Sequence, residues 1–204
     1  MEKKYEFVGE TKQVNGVTVK RIKALKNFGS TKTGEIGGWI ESESNLSHEG
    51  NCWVANNAIV YGNAKIRENA RVYDDACVYG NALLDGGALV YDEAVVWGNA
   101  HITVVARVYG SAHIGGNAKI SDAAMVCDNA RVTGNTKVTD DAIVCGEAIV
   151  CDEAVVRGDA CVGGDACVGI GTIDGDTVII EDDYEGDYED DYEDDYDYED
   201  DEIL

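Results

Sequence analysis

From Cys52 to Gly171 the chain repeats one pattern every six residues without a break. The first position of each hexad is alanine in 18 of 20 cases, with Cys52 and Thr136 as the exceptions. The third position is aliphatic in all 20, from Val54 through Val90 to Val168. Alternation puts these two positions on the same side of an extended segment. A small residue therefore points inward beside a branched one. The fifth and sixth positions are mostly Gly, Asn, Asp or Glu, residues that supply the positive φ of a tight corner. A short flat segment followed by a corner, repeated, traces a prism. If three hexads close one turn, the coil is 18 residues long. Successive coils then pair as parallel strands about 4.8 Å apart, in a rod on the order of 30 Å long.

With that coil, residues 18 apart stack, and Val72, Val90 and Val108 share the inside of one face. Outside it run Tyr73, Tyr91 and Tyr109, continued by Cys127 and Cys145, with Leu89, Met125 and Ile143 in a second column. The next face carries Tyr61, Tyr79 and Trp97 beside Ile59 and Val95. The third face is polar, with Lys65, Lys119 and Lys137 next to Arg67, Ser121 and Thr139. Contiguous outward apolar columns point to an oligomer interface on the two aromatic faces. The competing account is that stacked rings only tie neighbouring coils together.

The ends of the chain differ from its middle. Residues 1–45 read as a β-hairpin cap: Lys12–Val14 and Val17–Leu25 flank Asn15-Gly16, a strong hairpin turn signal. The cap shields the edge of the first coil. Residues 46–180 form the repeat domain, with Thr177–Ile180 as a last strand. Residues 181–204 hold 16 carboxylates and no basic group, with Tyr184, Tyr188, Tyr192 and Tyr196 four apart and Tyr198 beyond. Such a segment does not fold alone. Its carboxylates, among them Asp190, Asp191, Asp194 and Asp195, and its tyrosines together resemble the phosphates and bases of a nucleic acid. That makes the tail a candidate ligand for a basic, aromatic-binding groove on a protein partner.

Charge sharpens this division. The net −24 is spread as +5 over residues 1–32, −13 over 33–180 and −16 over the tail. Direct nucleic-acid binding is disfavoured because phosphate is repelled. Lys20, Arg21, Lys23 and Lys26 form a basic strand that suits acidic groups. The seven cysteines include no C-x-x-C pair, and no metal site is expected. Proline is absent, which suits a backbone whose N–H groups all serve ladders. No run of membrane-spanning length and no signal peptide is visible, so a reducing cytoplasm is the expected compartment.

The hexads resemble those of hexapeptide-repeat proteins. That likeness implies an all-β, single-stranded parallel β-helix, left-handed and triangular in section, assembled as a homotrimer with parallel axes. The stretch Lys32–Val54, with Gly37-Gly38-Trp39-Ile40, Asn45-Leu46-Ser47 and Gly50-Asn51-Cys52-Trp53, is similar to the N-terminal module of bacterial and prophage members labelled acetyltransferases. In acyltransferases of this type a histidine acts as general base between subunits, and loops leaving the coil help build the acyl-CoA pocket. The chain has His48, His101 and His113. His113 is the better candidate because Gly115-Gly116 leave room for a ligand. No residue is inserted anywhere in the repeat, and no companion carboxylate stands out.

Three functions follow from these readings. The first is a non-catalytic β-helix that binds a basic partner, a phage or bacterial inhibitor acting through its nucleic-acid-mimicking tail. The second is an acyl-CoA-dependent acyltransferase using an inter-subunit groove. The third is a structural assembly component. The unbroken hexads and the specialised tail favour the first, so the expectation is a binding protein rather than an enzyme, with no cofactor.

Overall fold

The structure is a computed structural model, and it describes residues 2–181. The chain winds into a left-handed parallel β-helix with three faces, each a sheet built mainly of two-residue strands. The coil length is 18 residues: Val90 pairs with Val72 on one side and Val108 on the other. The outward and inward columns fall as the hexads dictate. The aliphatic third positions from Val54 to Val162 have no solvent exposure, and Val168 has 8%.

The corners explain the rest of the pattern. Every fifth position from Asn56 to Gly164 has positive φ. These sites hold Gly, Asp, Asn or a single Glu, with one exception, Val104 at φ 63°. A β-branched residue is strained in this region because its branch crowds the backbone. Asparagine has a second use. On the corner after the Tyr61 face, Asn63, Asn81, Asn99, Asn117 and Asn135 pass hydrogen bonds from amide to amide at 2.7–3.0 Å.

Parallel pairing begins before the uninterrupted hexads. Strands β1 (Tyr5–Val14) and β2 (Val17–Ala24) form the hairpin, which pairs antiparallel with β3 (Ile36–Ile40). β3 in turn pairs parallel with Ile59–Val60, so it belongs to the first coil. The hairpin is pinned by two buried side chains. The Tyr5 hydroxyl donates to the Leu46 carbonyl at 2.8 Å. The Lys4 ammonium donates to the Cys52 carbonyl at 2.8 Å and approaches its sulfur at 3.2 Å. Burial pushes the Lys4 pKa down and the Cys52 thiol up.

At the far end the coil shortens by one residue, since Thr172 pairs with Val155 and Val178 with Cys161. Thr172–Ile173 is a strand that the hexad count misses. Among the described residues, one polar side chain in the inward first positions lacks a partner. Thr136 fills a first-position slot, fully buried, and its hydroxyl has no hydrogen bond.

Candidate functional site

On the polar face the outward second positions stack as Lys65, Leu83, His101, Lys119 and Lys137. The outward fourth positions give a parallel column of Arg67, Asp85, Thr103, Ser121 and Thr139. His101 leans diagonally toward the preceding coil. Its Nε2 lies 3.0 and 3.1 Å from the two carboxylate oxygens of Asp85. The imidazole side chain is 34% exposed and the carboxylate 21%, so the pair is shielded yet open to solvent on one side. A carboxylate that accepts from Nε2–H leaves Nδ1 with the free lone pair, the state required of a general base. Stacking only residues 18 apart misses this partner, because Asp85 lies 16 residues before His101. The signal that finds it is the diagonal step between the second position of one coil and the fourth of the coil before.

The corner that follows His101 is unlike the others. Strained Val104 and its neighbour Val105 are 46% and 54% exposed. They sit against the Gly86-Gly87 corner of the coil above, where a Cβ on Gly86 would meet the Val104 backbone at 2.7 Å. An apolar lip therefore borders the His101–Asp85 pair. One coil further, the Asp122 carboxylate accepts hydrogen bonds from Thr139 at 2.5 Å and Ser121 at 2.9 Å. These bonds hold the Asp122 carboxyl below the usual carboxylate range.

His113 lies on a different face. It lines a shallow concavity of about 330 Å³ with Ser111, Asn129, Arg131, Glu147 and Ile149. The room expected beside Gly115 is already filled. The Trp97 indole lies over that glycine, and a Cβ on it would come within 2.2 Å of Trp97 Cε2. His113 meets the same indole edge-on, with centroids 6.0 Å apart. His48 is structural: its ring stacks on Tyr5 at 4.4 Å, and its Nδ1 accepts the Lys4 backbone N–H at 3.1 Å.

The aromatic columns stack within the chain. Tyr91 and Tyr109 are parallel within 1° at 5.0 Å, and Tyr61 and Tyr79 within 9° at 5.1 Å. Tyr61 is only 8% exposed, because the hairpin tip covers it and Asn15 donates to its hydroxyl at 3.1 Å. Tyr73 receives a hydrogen bond from Arg71 at 3.2 Å. In the hairpin, Lys23 pairs with Glu6 and Lys26 with Glu2, while Lys12 and Arg21 flank the Trp39 ring at 4.6 and 4.9 Å. All seven cysteines are free thiols. Among the described residues no group of three or more His, Cys, Asp or Glu side chains is placed to hold a metal ion. No helix among them is long and apolar enough to cross a membrane. The tail positions Tyr184, Tyr188, Tyr192, Tyr196, Tyr198, Asp190, Asp191, Asp194 and Asp195 lie outside the described residues.

Fold and faces define a hexapeptide-repeat, left-handed parallel β-helix, and this one is homologous in part to a bacterial acetyltransferase. Over 57 residues the chain is 42% identical to the uncharacterized acetyltransferase YdcK of Escherichia coli (strain K12). The match covers 28% of this chain and 18% of YdcK, so the chain spans under a fifth of that relative's length. No family model matches the chain. The match corrects the expectation that a binding protein is favoured over an enzyme. That expectation weighed the lack of an excursion loop and of a carboxylate partner. The homology is to a protein named as an acetyltransferase, and Asp85 supplies the carboxylate.

Proposed function

We propose that the chain is an acyltransferase that uses His101 as general base. The observation that carries this reading is the Asp85 carboxylate on His101 Nε2 at 3.0 Å. Asp85 orients the imidazole and stabilises the imidazolium that forms. His101 Nδ1 takes the proton from the hydroxyl or amine of the acceptor. The acceptor's heteroatom bonds to the thioester carbonyl carbon, the carbon–sulfur bond breaks, and the proton passes from the imidazolium to the leaving thiolate. The products are the acylated acceptor and a free thiol. The exposed Val104–Val105 lip supplies apolar contact for the acyl-bearing arm of the donor. A homotrimer through the Tyr91–Tyr109 and Tyr79–Trp97 faces would set a second subunit beside this corner and close the groove.

The test is thiol release from acetyl-CoA across a panel of small alcohols and amines, with the trimer checked by light scattering. Replacing a positioned general base lowers turnover by roughly 10²–10⁴-fold, which is the loss expected for His101→Ala. Asp85→Asn is expected to lower turnover while leaving the fold intact. Unchanged turnover in His101→Ala would sink the assignment. The concavity around His113 supports a second placement of the base. Loss of turnover in His113→Ala with retention in His101→Ala selects it.

A further inference from the structure

Charge on the β-helix is segregated around the His101–Asp85 pair. Residues 33–180 are acidic overall, yet five of their eight basic residues, Lys65, Arg67, Lys119, Lys137 and Arg157, lie on the polar face. Arg157 is engaged by Asp174, at 2.9 Å through Nε. The other four form no ion pair among the described residues. Lys119 pairs with His101 on one side and with Lys137 on the other, so imidazole and two ammonium groups rise in one outward column. Like charges directly opposite in a ladder oppose each other. Asp122 feels the Lys119 charge but forms no ion pair with it, and accepts hydrogen bonds from Ser121 and Thr139, while Asp140 accepts the Gly158 N–H at 3.0 Å. On the other side Leu83 separates Lys65 from His101, so that side offers no matching ammonium pair beside the imidazole.

We propose that Lys119 and Lys137 form an oxyanion-binding strip for the acyl acceptor, which is therefore a small alcohol or amine bearing a phosphate or carboxylate. The inference rests on the acyltransferase reading and names its substrate class. Strand spacing sets the geometry: the anionic group sits about 5–10 Å along the axis from the imidazole. That is the separation of a hydroxyl or amine from the charged end of a compact metabolite. Two ammonium groups without competing ion pairs hold such a group by charge and hydrogen bonding together.

The test is calorimetric titration of the full-length protein with inorganic phosphate at low ionic strength, for wild type, Lys119→Gln/Lys137→Gln, His101→Ala and the hairpin control Lys20→Gln/Lys23→Gln. Saturable binding is expected in wild type, weakened at least tenfold in the Lys119/Lys137 double variant and unchanged in the other two. Equal binding in wild type and that double variant, or no saturable binding, overturns the strip. A second series repeats the titration with saturating coenzyme A. Phosphate binding that persists assigns the strip to the acceptor, whereas displacement hands it to the donor and overturns the proposal. Absence of any coenzyme A binding removes the acyltransferase reading, while the lysine variants still decide whether the strip exists.

Discussion

The Trp97 indole occupies the space that a side chain on Gly115 would need, one coil further along the same face. The glycine is thus the floor of an aromatic seat, and the edge-on His113 ring is its wall. Gly115→Ala must displace the ring, because the first clash is with Cε2 at the body of the indole. Overpacking of this kind typically costs about 1–3 kcal/mol. Chemical denaturation of the variant is expected to show that loss, with a shift in tryptophan fluorescence as Trp97 swings into solvent. Unchanged stability and emission would mean that the ring is not seated there.

Thr136 offers the opposite opportunity. Its fully buried hydroxyl has no partner, in a column that otherwise holds alanine from Ala64 to Ala154. An unsatisfied buried hydroxyl costs about 1–3 kcal/mol, and an apolar group of the same shape removes that cost. Thr136→Val is expected to raise the denaturation midpoint by about 1 kcal/mol in stability. A lower midpoint would show that the hydroxyl is satisfied.

Much of this architecture is legible in the amino-acid order because the period is strict. Val72, Val90 and Val108 can be placed inside one face from spacing, and the Gly-Asn pairs at 62–63, 80–81 and 98–99 mark corners, although the amide ladder they carry emerges only in the structure. The site is less legible. His101 and Asp85 occupy different outward columns, and their meeting depends on a side chain leaning across coils rather than on backbone register. The Gly115 pocket fails for a related reason: spacing shows that a Cβ is missing, and only packing shows what fills the gap. The broken hexad near Gly171 hides the Thr172–Ile173 strand, because one deleted residue flips the alternation.

Val104 tests whether corner strain serves the site. At φ 63° a valine carries on the order of 1–3 kcal/mol that glycine avoids. Val104→Gly is therefore expected to melt higher than wild type. It also removes half of the apolar lip beside His101, so its thiol release from acetyl-CoA is expected to fall. A variant with both higher stability and full activity would make the valine incidental.

Alkaline pH is expected to lower the stability of the rod in a defined window. Interaction with the Cys127 sulfur, and then burial, push the Tyr109 hydroxyl up to about 12. Burial raises Tyr91 and Tyr79 in the same direction. Below the ordinary tyrosine value of about 10, these groups are protonated in both the folded and the unfolded chain and exert no pH dependence. Above it the unfolded chain releases protons that the folded chain keeps, so the free energy of unfolding falls as pH rises. The stability held at neutral pH is thus lost progressively from pH of about 10 through the folded value of Tyr109. The check is a denaturation series across that window, with tyrosinate absorbance of wild type compared with Tyr109→Phe to isolate one ring. Cys127→Ala removes the leading cause of the shift and is expected to bring the Tyr109 titration down toward the ordinary value. An unshifted Tyr109 in wild type would mean that the stacked ladder is open to water at its hydroxyl edge.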